Sequence, residues 1–158
     1  MSDDSWYFAY GSNLWIDQKV ERTGAIRTGD ERPRIARLKD YRLAFNKRGA
    51  RGQVCANIRH SAGDEVIGVV YRWGLKARQT MGRCYEIGYD EENVEVTTDQ
   101  GEKLEAVTFV ARPENVCDES TPSAGYLEKI ITGARQHGLP EEYIRRIEQI
   151  AKKKSCES

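Results

Sequence analysis

The chain has 158 residues, with 25 basic and 25 acidic side chains and a formal net charge of zero at neutral pH. This length suits one domain with a single core, and the balanced charge excludes a general attraction to nucleic acid or to a membrane. Neither a membrane-spanning apolar run nor a signal-peptide pattern occurs. We therefore expect a cytoplasmic single domain over 1–158, with its core in 6–150 and a polar tail in 151–158.

The first predicted element is a short strand over 6–10, where aromatic residues suit a pleated surface. Gly11 then breaks the strand, and Ser12 or Asn13 is expected to cap a helix that Gly24 closes. A strand, a glycine turn and a helix start direct free backbone N–H groups at one point. Such a point suits an anion such as a carboxylate or a phosphate.

The middle of the chain alternates apolar and polar residues in a way that predicts strands. Five further strands are expected, at 41–46, 53–59, 65–73, 93–98 and 104–112. The segments 60–65 and 98–103 each contain Gly and Asp, so both are expected to be hairpin turns.

One short helical pattern interrupts the strands, and two longer ones follow them. A short helix is expected over 75–85, and two longer helices over 122–138, which Gly138 ends, and 139–154. Strands first and helices last predict an α+β domain whose sheet, of about six strands, curls into a small barrel.

Metal and thiol chemistry have weak support in the sequence. The four cysteines are scattered and form no Cys-x-x-Cys pair, so free thiols are expected: Cys55, Cys84, Cys117 and Cys156. His60 and His137 are the only histidines, and no metal site is expected from them.

Carboxylates are the most available acid–base groups. Ser12 does not lie in a G-x-S-x-G elbow, so a cap or backbone-donor role suits it better than that of a nucleophile. Glu86 differs from the other acids because apolar and aromatic residues surround it in sequence, in the stretch 81–89. A carboxylate in an apolar pocket has a raised pKa and can act as a base near neutral pH.

The charges are unevenly distributed along the chain. Eight basic residues lie in 32–51 beside one acid, and eleven acids lie in 86–119 beside two basic residues. Two surfaces that compensate each other explain this pattern. A nucleic-acid-binding module using 32–51 is the alternative, but it needs exposed aromatics, and Tyr41 and Phe45 fit a strand interior better.

Four stretches together resemble the gamma-glutamyl cyclotransferase family. They are YFAYGSNL (7–14), ANI (56–58), GDEVIGVVYR (63–72) and PSAGYLEKIITGARQHGLPEEY (122–143), and the resemblance runs in order over roughly 6–150. It implies a small mixed β-barrel with flanking helices. It also implies a cofactor-independent enzyme, an acyltransferase or lyase, in which the α-amino group of a gamma-glutamyl compound attacks its own γ-amide carbonyl. The products are 5-oxoproline and an amino acid or amine, as in glutathione metabolism.

The resemblance also implies roles for particular residues. The turn would bind the glutamyl moiety, using Tyr7, Phe8, Ala9, Tyr10, Gly11, Ser12 and Asn13. Tyr126 would line the pocket with its hydroxyl or, alternatively, pack in the core. Glu86 best matches the catalytic acid/base in position. However, Gly82-Arg83 and Ile87 depart from the family's usual residues around that glutamate. An ungapped comparison puts Tyr85 there instead, and Glu91 and Glu92 are fallback candidates.

Three questions are left open at this point. A non-catalytic gamma-glutamyl-binding or regulatory domain on the same scaffold is an alternative to the enzyme, because the sequence around Glu86 is altered. The partner is expected to be a small gamma-glutamyl molecule whose leaving group is undetermined. Trp15 and Trp73 could form a homodimer interface or belong to the core.

Overall fold

The structure, a computed structural model, describes residues 3–152. Its five strands are β1 (Ser5–Ala9), β2 (Arg34–Arg48), β3 (Val54–Trp73), β4 (Tyr89–Thr98) and β5 (Lys103–Ala111). Its four α-helices are α1 (Ile16–Thr23), α2 (Leu75–Thr80), α3 (Ala124–His137) and α4 (Glu141–Lys152). The polar tail beyond residue 152 and Cys156 lie outside the described residues.

The strands form a closed barrel in the order β1-β3-β2-β4-β5. Four of the pairings are antiparallel, and the barrel closes through a parallel pairing of β1 with β5, in which Trp6 is opposite Ala106 and Tyr7 is opposite Val107. The prediction of an α+β domain with a small mixed barrel is therefore confirmed, with five strands instead of about six.

The difference in strand number arises at 60–65, where the predicted hairpin is wrong. The two strands predicted on either side of it are one continuous strand, β3, which pairs with β2 along its length. The extra residues form a bulge, because the register shifts between Lys39 and Tyr41, and the intervening Asp40 has a positive φ of 66°. Its carboxylate accepts a hydrogen bond from the Gly63 N–H at 3.0 Å. Gly and Asp are therefore part of a bulge here, because bulges and turns favour the same residue types.

The hairpin predicted at 98–103 is confirmed between β4 and β5. The Thr98 N–H donates to the Glu102 carbonyl oxygen at 2.8 Å, and Gly101 adopts the positive φ (85°) that this tight turn requires.

The turn after β1 is more compact than the sequence suggests. A 3-10 turn (Ser12–Leu14) precedes α1, and neither Ser12 nor Asn13 caps the helix. The first N–H of α1, from Ile16, donates instead to the side chain of Gln136 in α3 at 2.9 Å. The cap prediction is therefore wrong, because a residue distant in sequence supplies the acceptor. Gly24 ends α1 as predicted.

Helix α3 holds this turn in place. Ser123 caps the helix by accepting a hydrogen bond from the Tyr126 N–H, and Gly138 ends it in the left-handed conformation. Gly133 allows close approach, because a Cβ atom at this position would lie 2.3 Å from the carbonyl carbon of Leu14. The backbone of α3 therefore packs directly on the turn after β1.

The core fills the barrel and the space beneath the C-terminal helices. Phe8, Ala9, Trp73, Ile130 and Ile144 are fully or almost fully buried. Trp73 therefore belongs to the core. The described cysteines are free thiols: Cys55, Cys84 and Cys117. Among the described residues, no helix has the length and apolar character needed to span a membrane.

The basic segment 32–51 faces part of the acidic segment 86–119. Arg34 pairs with Glu102 at 2.5 Å, and Arg42 pairs with Glu119 at 2.8 Å. These contacts support the interpretation that the two charged segments compensate each other.

Candidate active site

A cavity lies beside the turn that follows β1. Its empty space, which includes open solvent, amounts to about 310 Å³, and it is lined by Tyr7, Tyr10, Gly11, Ser12, Asn13, Ala56, Glu86, Tyr89, Phe109 and Tyr126. We call it the inner cavity. It brings Glu86 and Tyr126 together with most of the residues expected to bind the glutamyl moiety.

Two expected binding residues do not reach the inner cavity. Phe8 and Ala9 are fully buried in the core, and their backbones pair with Val70 and Val69 of β3. The Phe8 carbonyl oxygen also accepts a hydrogen bond from the Thr108 hydroxyl at 2.9 Å. Both residues therefore build the barrel wall that supports the turn.

Glu86 follows a π-helical turn (Met81–Tyr85) that extends α2. The Glu86 N–H donates to the Met81 carbonyl oxygen at 2.8 Å, which directs the following chain back towards the barrel. The side chain is only 14% exposed, and its Oε1 accepts a hydrogen bond from Asn13 Nδ2 at 3.0 Å. The carboxylate therefore faces the turn.

The environment of Glu86 changes its acidity. Burial raises its pKa above the ordinary carboxyl value, while the charges of Arg22 and Lys47 and the hydrogen bond from Asn13 oppose this shift. Arg22 NH1 lies 3.7 Å from Oε1. Glu86 is therefore a partly dehydrated carboxylate with nearby cations, an environment suited to an acid–base group.

The fallback candidates lie elsewhere. Glu91 is exposed and pairs with Arg78 at 2.8 Å, and Glu92 is also exposed. Tyr85 is 42% exposed, with the Arg22 guanidinium 4.8 Å from its ring centre. Of these candidates and Glu86, only Glu86 lines the inner cavity.

Asn13 is the centre of a buried hydrogen-bond network. Its Nδ2 donates to the Tyr7 hydroxyl at 2.9 Å and to Glu86. Its Oδ1 accepts hydrogen bonds from Gln18 Nε2 at 3.1 Å and from Arg22 NH1 at 3.2 Å. Helix α1 therefore contributes two side chains that hold the Asn13 amide against the carboxylate.

Two tyrosine hydroxyls form hydrogen bonds to the backbone of Ala56, and we call this side of the inner cavity the Ala56 wall. The Ala56 N–H donates to the Tyr126 hydroxyl at 3.0 Å, and the Ala56 carbonyl oxygen accepts from the Tyr89 hydroxyl at 2.6 Å. Burial raises the pKa of both tyrosines, so both remain protonated and uncharged at neutral pH.

Gly11 lies where the turn meets this wall. A Cβ atom at Gly11 would lie 3.2 Å from the Ala56 Cβ and 3.8 Å from the Tyr126 hydroxyl. The absent side chain therefore keeps the space between the backbone of the turn and the Ala56 wall open.

A wider depression continues from the inner cavity, with about 860 Å³ of empty space that includes open solvent, and we call it the outer groove. The two share Ser12, Glu86, Tyr89 and Tyr126. The outer groove also carries three cationic side chains, Arg22, Lys47 and Lys129, and the exposed side chains of Tyr85 and Ile87.

Comparison with known proteins identifies the family. Residues 65–147 match the model of the AIG2-like family. Gamma-glutamylcyclotransferase from Bos taurus is 31% identical over 154 residues, which cover 91% of this chain and 77% of that protein. The Homo sapiens gamma-glutamylcyclotransferase is 30% identical, with the same coverage. The chain belongs to the gamma-glutamylcyclotransferase family. A solved structure of a gamma-glutamyl cyclotransferase matches with a TM-score of 0.81 and 27% identity, covering 92% of this chain and 86% of that one.

The family prediction made from the sequence is thus confirmed, but several residues of the site were missed. Gln18, Arg22 and Lys47 were not expected there, because polar residues on a helix or strand are usually solvated. Ala56 and Tyr89 lie in stretches that the sequence analysis quoted, yet only the folded barrel shows that they face the inner cavity.

Within residues 3–152, no group of three or more His, Cys, Asp or Glu side chains is arranged to hold a metal ion. The inner cavity offers instead one carboxylate, an amide and several hydroxyls.

Proposed function

We propose that the protein is a gamma-glutamyl cyclotransferase with Glu86 as its acid/base. The observation that carries the proposal is that the Glu86 carboxylate and the Gly11–Asn13 turn line one cavity. In the reaction, the α-amino nitrogen of a gamma-glutamyl amide bonds to its own γ-carbonyl carbon. The amide C–N bond then breaks, giving 5-oxoproline and a free amine or amino acid.

The glutamyl part of the substrate would occupy the inner cavity. The first residues of a 3-10 turn have N–H groups without an acceptor inside the turn, so Ser12 and Asn13 offer donors for the substrate α-carboxylate. The bent conformation brings the amine and the carbonyl into contact within one molecule. Holding that conformation supplies much of the rate acceleration for a ring closure.

Glu86 would move the proton. The α-amino group is an ammonium ion at neutral pH and must lose a proton before it can attack. A carboxylate with a pKa raised by burial is a stronger base than an exposed one, and Glu86 has this property. The attacking nitrogen loses a second proton when the ring has formed, and Glu86 can pass both protons in turn to the leaving nitrogen. That nitrogen departs as an ammonium ion at neutral pH, so the proton balance closes without a cofactor.

Tyr126 would stabilise the oxyanion that forms at the γ-carbonyl carbon. Its hydroxyl oxygen already accepts a hydrogen bond from Ala56, which leaves its proton available to another acceptor. Because the hydroxyl is buried and held by the backbone, it needs little reorganisation when charge develops on the substrate.

The outer groove would hold the leaving group. Its cationic side chains suit a leaving amine that carries a carboxylate, as an amino acid or a peptide does. A cytoplasmic location is part of the proposal, and the free thiols at Cys55, Cys84 and Cys117 are consistent with a reducing compartment. The homodimer stays a prediction.

Turnover of gamma-glutamyl-alanine tests the proposal. The purified protein should release 5-oxoproline and alanine in equal amounts, as measured by chromatography with mass detection. Glu86→Gln should lower kcat/KM by about 100-fold to 10,000-fold, because an amide cannot accept the proton. Product formation at the wild-type rate by Glu86→Gln would rule out Glu86 as the base.

The same preparation tests the alternative of a non-catalytic binding domain. Calorimetry would then show that gamma-glutamyl-alanine binds while no 5-oxoproline forms during prolonged incubation. A protein that neither binds nor converts the compound would contradict both functions.

A further inference from the structure

The orientation of the Asn13 side-chain amide has an identifiable cause. An amide can present either its oxygen or its nitrogen to a neighbour, and Gln18 is compatible with both because its own amide contains donors and an acceptor. A guanidinium has only donors, so Arg22 requires the Asn13 oxygen. With the oxygen held by Arg22, the Asn13 nitrogen must face Glu86.

We propose that Arg22 is a positioning residue, which acts through Asn13 to hold the Glu86 carboxylate in the inner cavity. The proposal rests on the proposed function, because it assigns to Arg22 the support of the group that moves the proton. In the reverse amide orientation, the Asn13 oxygen would face the carboxylate, and two acceptors would oppose each other in a buried space.

The position of Arg22 is itself well defined. Gln18 and Arg22 are four residues apart and therefore lie on the same face of α1, above the turn. The Arg22 guanidinium packs over the ring of Tyr85, the residue that precedes Glu86, with 4.8 Å to the ring centre. The side chain thus contacts both the turn that carries Asn13 and the π-helical turn that directly precedes Glu86.

Arg22 also acts on Glu86 by charge. Its NH1 lies 3.7 Å from Oε1, and its positive charge favours the ionised carboxylate, opposing the effect of burial. The other titratable or charged groups that face Glu86 come from all sides of the cavity: Tyr7 of β1, Tyr10 directly after it, Lys47 of β2, Cys55 of β3, Tyr89 of β4 and Tyr126 of α3. Arg22 and Lys47 are the cations in this set.

Three variants separate the roles of charge and orientation. Arg22→Met removes both, Arg22→Lys keeps the charge, and Arg83→Met is a matched control that removes an exposed arginine from the same π-helical turn. Arg22→Gln provides a second neutral variant if Arg22→Met does not fold, and circular dichroism and thermal melting check the fold of each.

Two measurements on each variant give the test. The first is the pH dependence of kcat/KM for gamma-glutamyl-alanine, whose acid limb reports an ionisable group of the free enzyme. The second is a direct titration of the Glu86 carboxyl by NMR of protein with ¹³C-labelled glutamate, assigned by the signal that Glu86→Gln removes. The NMR titration does not depend on turnover.

We expect Arg22→Met to lower kcat/KM at pH 7 by about tenfold, because one hydrogen bond and one charge that support the carboxylate are lost. Removal of the cation raises the pKa of Glu86, so both the acid limb and the NMR titration should move to higher pH. Arg22→Lys should give an acid limb and a Glu86 titration close to those of the wild type, and it should recover part of the loss in kcat/KM. Arg83→Met should change neither kcat/KM nor the titration of Glu86.

The outcomes that overturn the inference are distinct from failure of the proposed function. An unchanged Glu86 titration in the folded Arg22→Met and Arg22→Gln variants would show that Arg22 does not support the carboxylate. Arg22→Lys that is no better than Arg22→Met in either measurement would also contradict it. A wild-type protein that yields no 5-oxoproline defeats the proposed function, while the NMR titration still decides whether Arg22 acts on Glu86.

Discussion

The inner cavity and the outer groove share a boundary but differ in construction. In the inner cavity, Tyr7, Tyr10 and Asn13 are buried, Tyr89 and Tyr126 are half-buried, and most of their polar atoms bind the backbone or one another. In the outer groove, Tyr85 and Ile87 are 42% and 67% exposed, and cationic side chains replace the network of hydroxyls. One region is rigidly organised and the other is open.

This difference matches the two halves of the proposed substrate. The glutamyl part is the same in every gamma-glutamyl compound and undergoes the bond changes, so a preorganised site is of use to it. The leaving group varies between compounds, and an open, charged surface can accept different groups. We therefore expect changes in the inner cavity to affect all substrates alike, and changes in the outer groove to affect them unequally.

Narrowing the inner cavity should have the largest effect of the changes considered next. Gly11→Ala adds a Cβ atom 3.2 Å from the Ala56 Cβ, in the space proposed for the glutamyl backbone. A displacement of the substrate by a fraction of an ångström to 1 Å can cost about 100-fold in rate, and we expect kcat/KM to fall by roughly that factor. The loss should be similar for gamma-glutamyl-alanine and for a gamma-glutamyl amine.

Gly125→Ala is the matched control for this variant. A Cβ atom at Gly125 meets no other atom within 4 Å, so this substitution adds the same methyl group without narrowing the cavity. Activity close to wild type is expected. A Gly11→Ala loss confined to one leaving group would contradict the division between the two regions.

The buried carboxylate should reduce stability at neutral pH. Burial raises the pKa of Glu86, so the folded protein binds this proton more tightly than the unfolded chain does. Its contribution to the free energy of unfolding therefore falls as the pH rises through the interval between the ordinary and the raised pKa. Glu86→Gln removes the charge but keeps an oxygen for Asn13, and its Tm at pH 7 should be higher by about 2–4 °C, the shift for roughly 1 kcal/mol.

The pH dependence distinguishes this cause from a general improvement in packing. Below the ordinary carboxyl pKa, the wild-type Glu86 is protonated in both states, so the difference in Tm between the two proteins should become smaller. Calorimetric melting at a series of pH values measures it. A difference that stays constant down to acidic pH would show that the charge of Glu86 is not responsible.

The sequence predicted the local elements of the inner cavity better than its network. The strand at 6–10 and Gly24 as the end of α1 follow from residue preferences that act over a few positions. The hairpin predicted at 60–65 failed because Gly and Asp suit both a turn and a bulge. Only the pairing of β2 with β3 along the whole strand decides between the two.

The contacts around Asn13 could not be predicted for a different reason. Ser12 and Asn13 are ordinary helix caps in sequence, but folding brings Gln136 to the first N–H of α1 and leaves Asn13 to bind Glu86. These partners are separated by 73 or more residues in the chain, and no local pattern encodes such a pairing. Glu86 was singled out as a candidate because its apolar neighbours are a local signal and because its position matches the family's acid/base.

The outer groove should show the smallest effect, but the most selective one. Lys129 is exposed at its edge, and a charge in water contributes little to binding, so Lys129→Met should lower kcat/KM for gamma-glutamyl-alanine by roughly twofold to fivefold. Gamma-glutamyl-alaninamide lacks the leaving-group carboxylate and should be almost unaffected.

Lys76→Met removes an exposed lysine from α2, outside the groove, and controls for net charge. Added salt should reduce the wild-type preference for the carboxylate substrate, because it screens exposed charges. Equal losses for the two substrates would place the carboxylate away from Lys129, and the outer groove would then discriminate leaving groups by shape instead of charge.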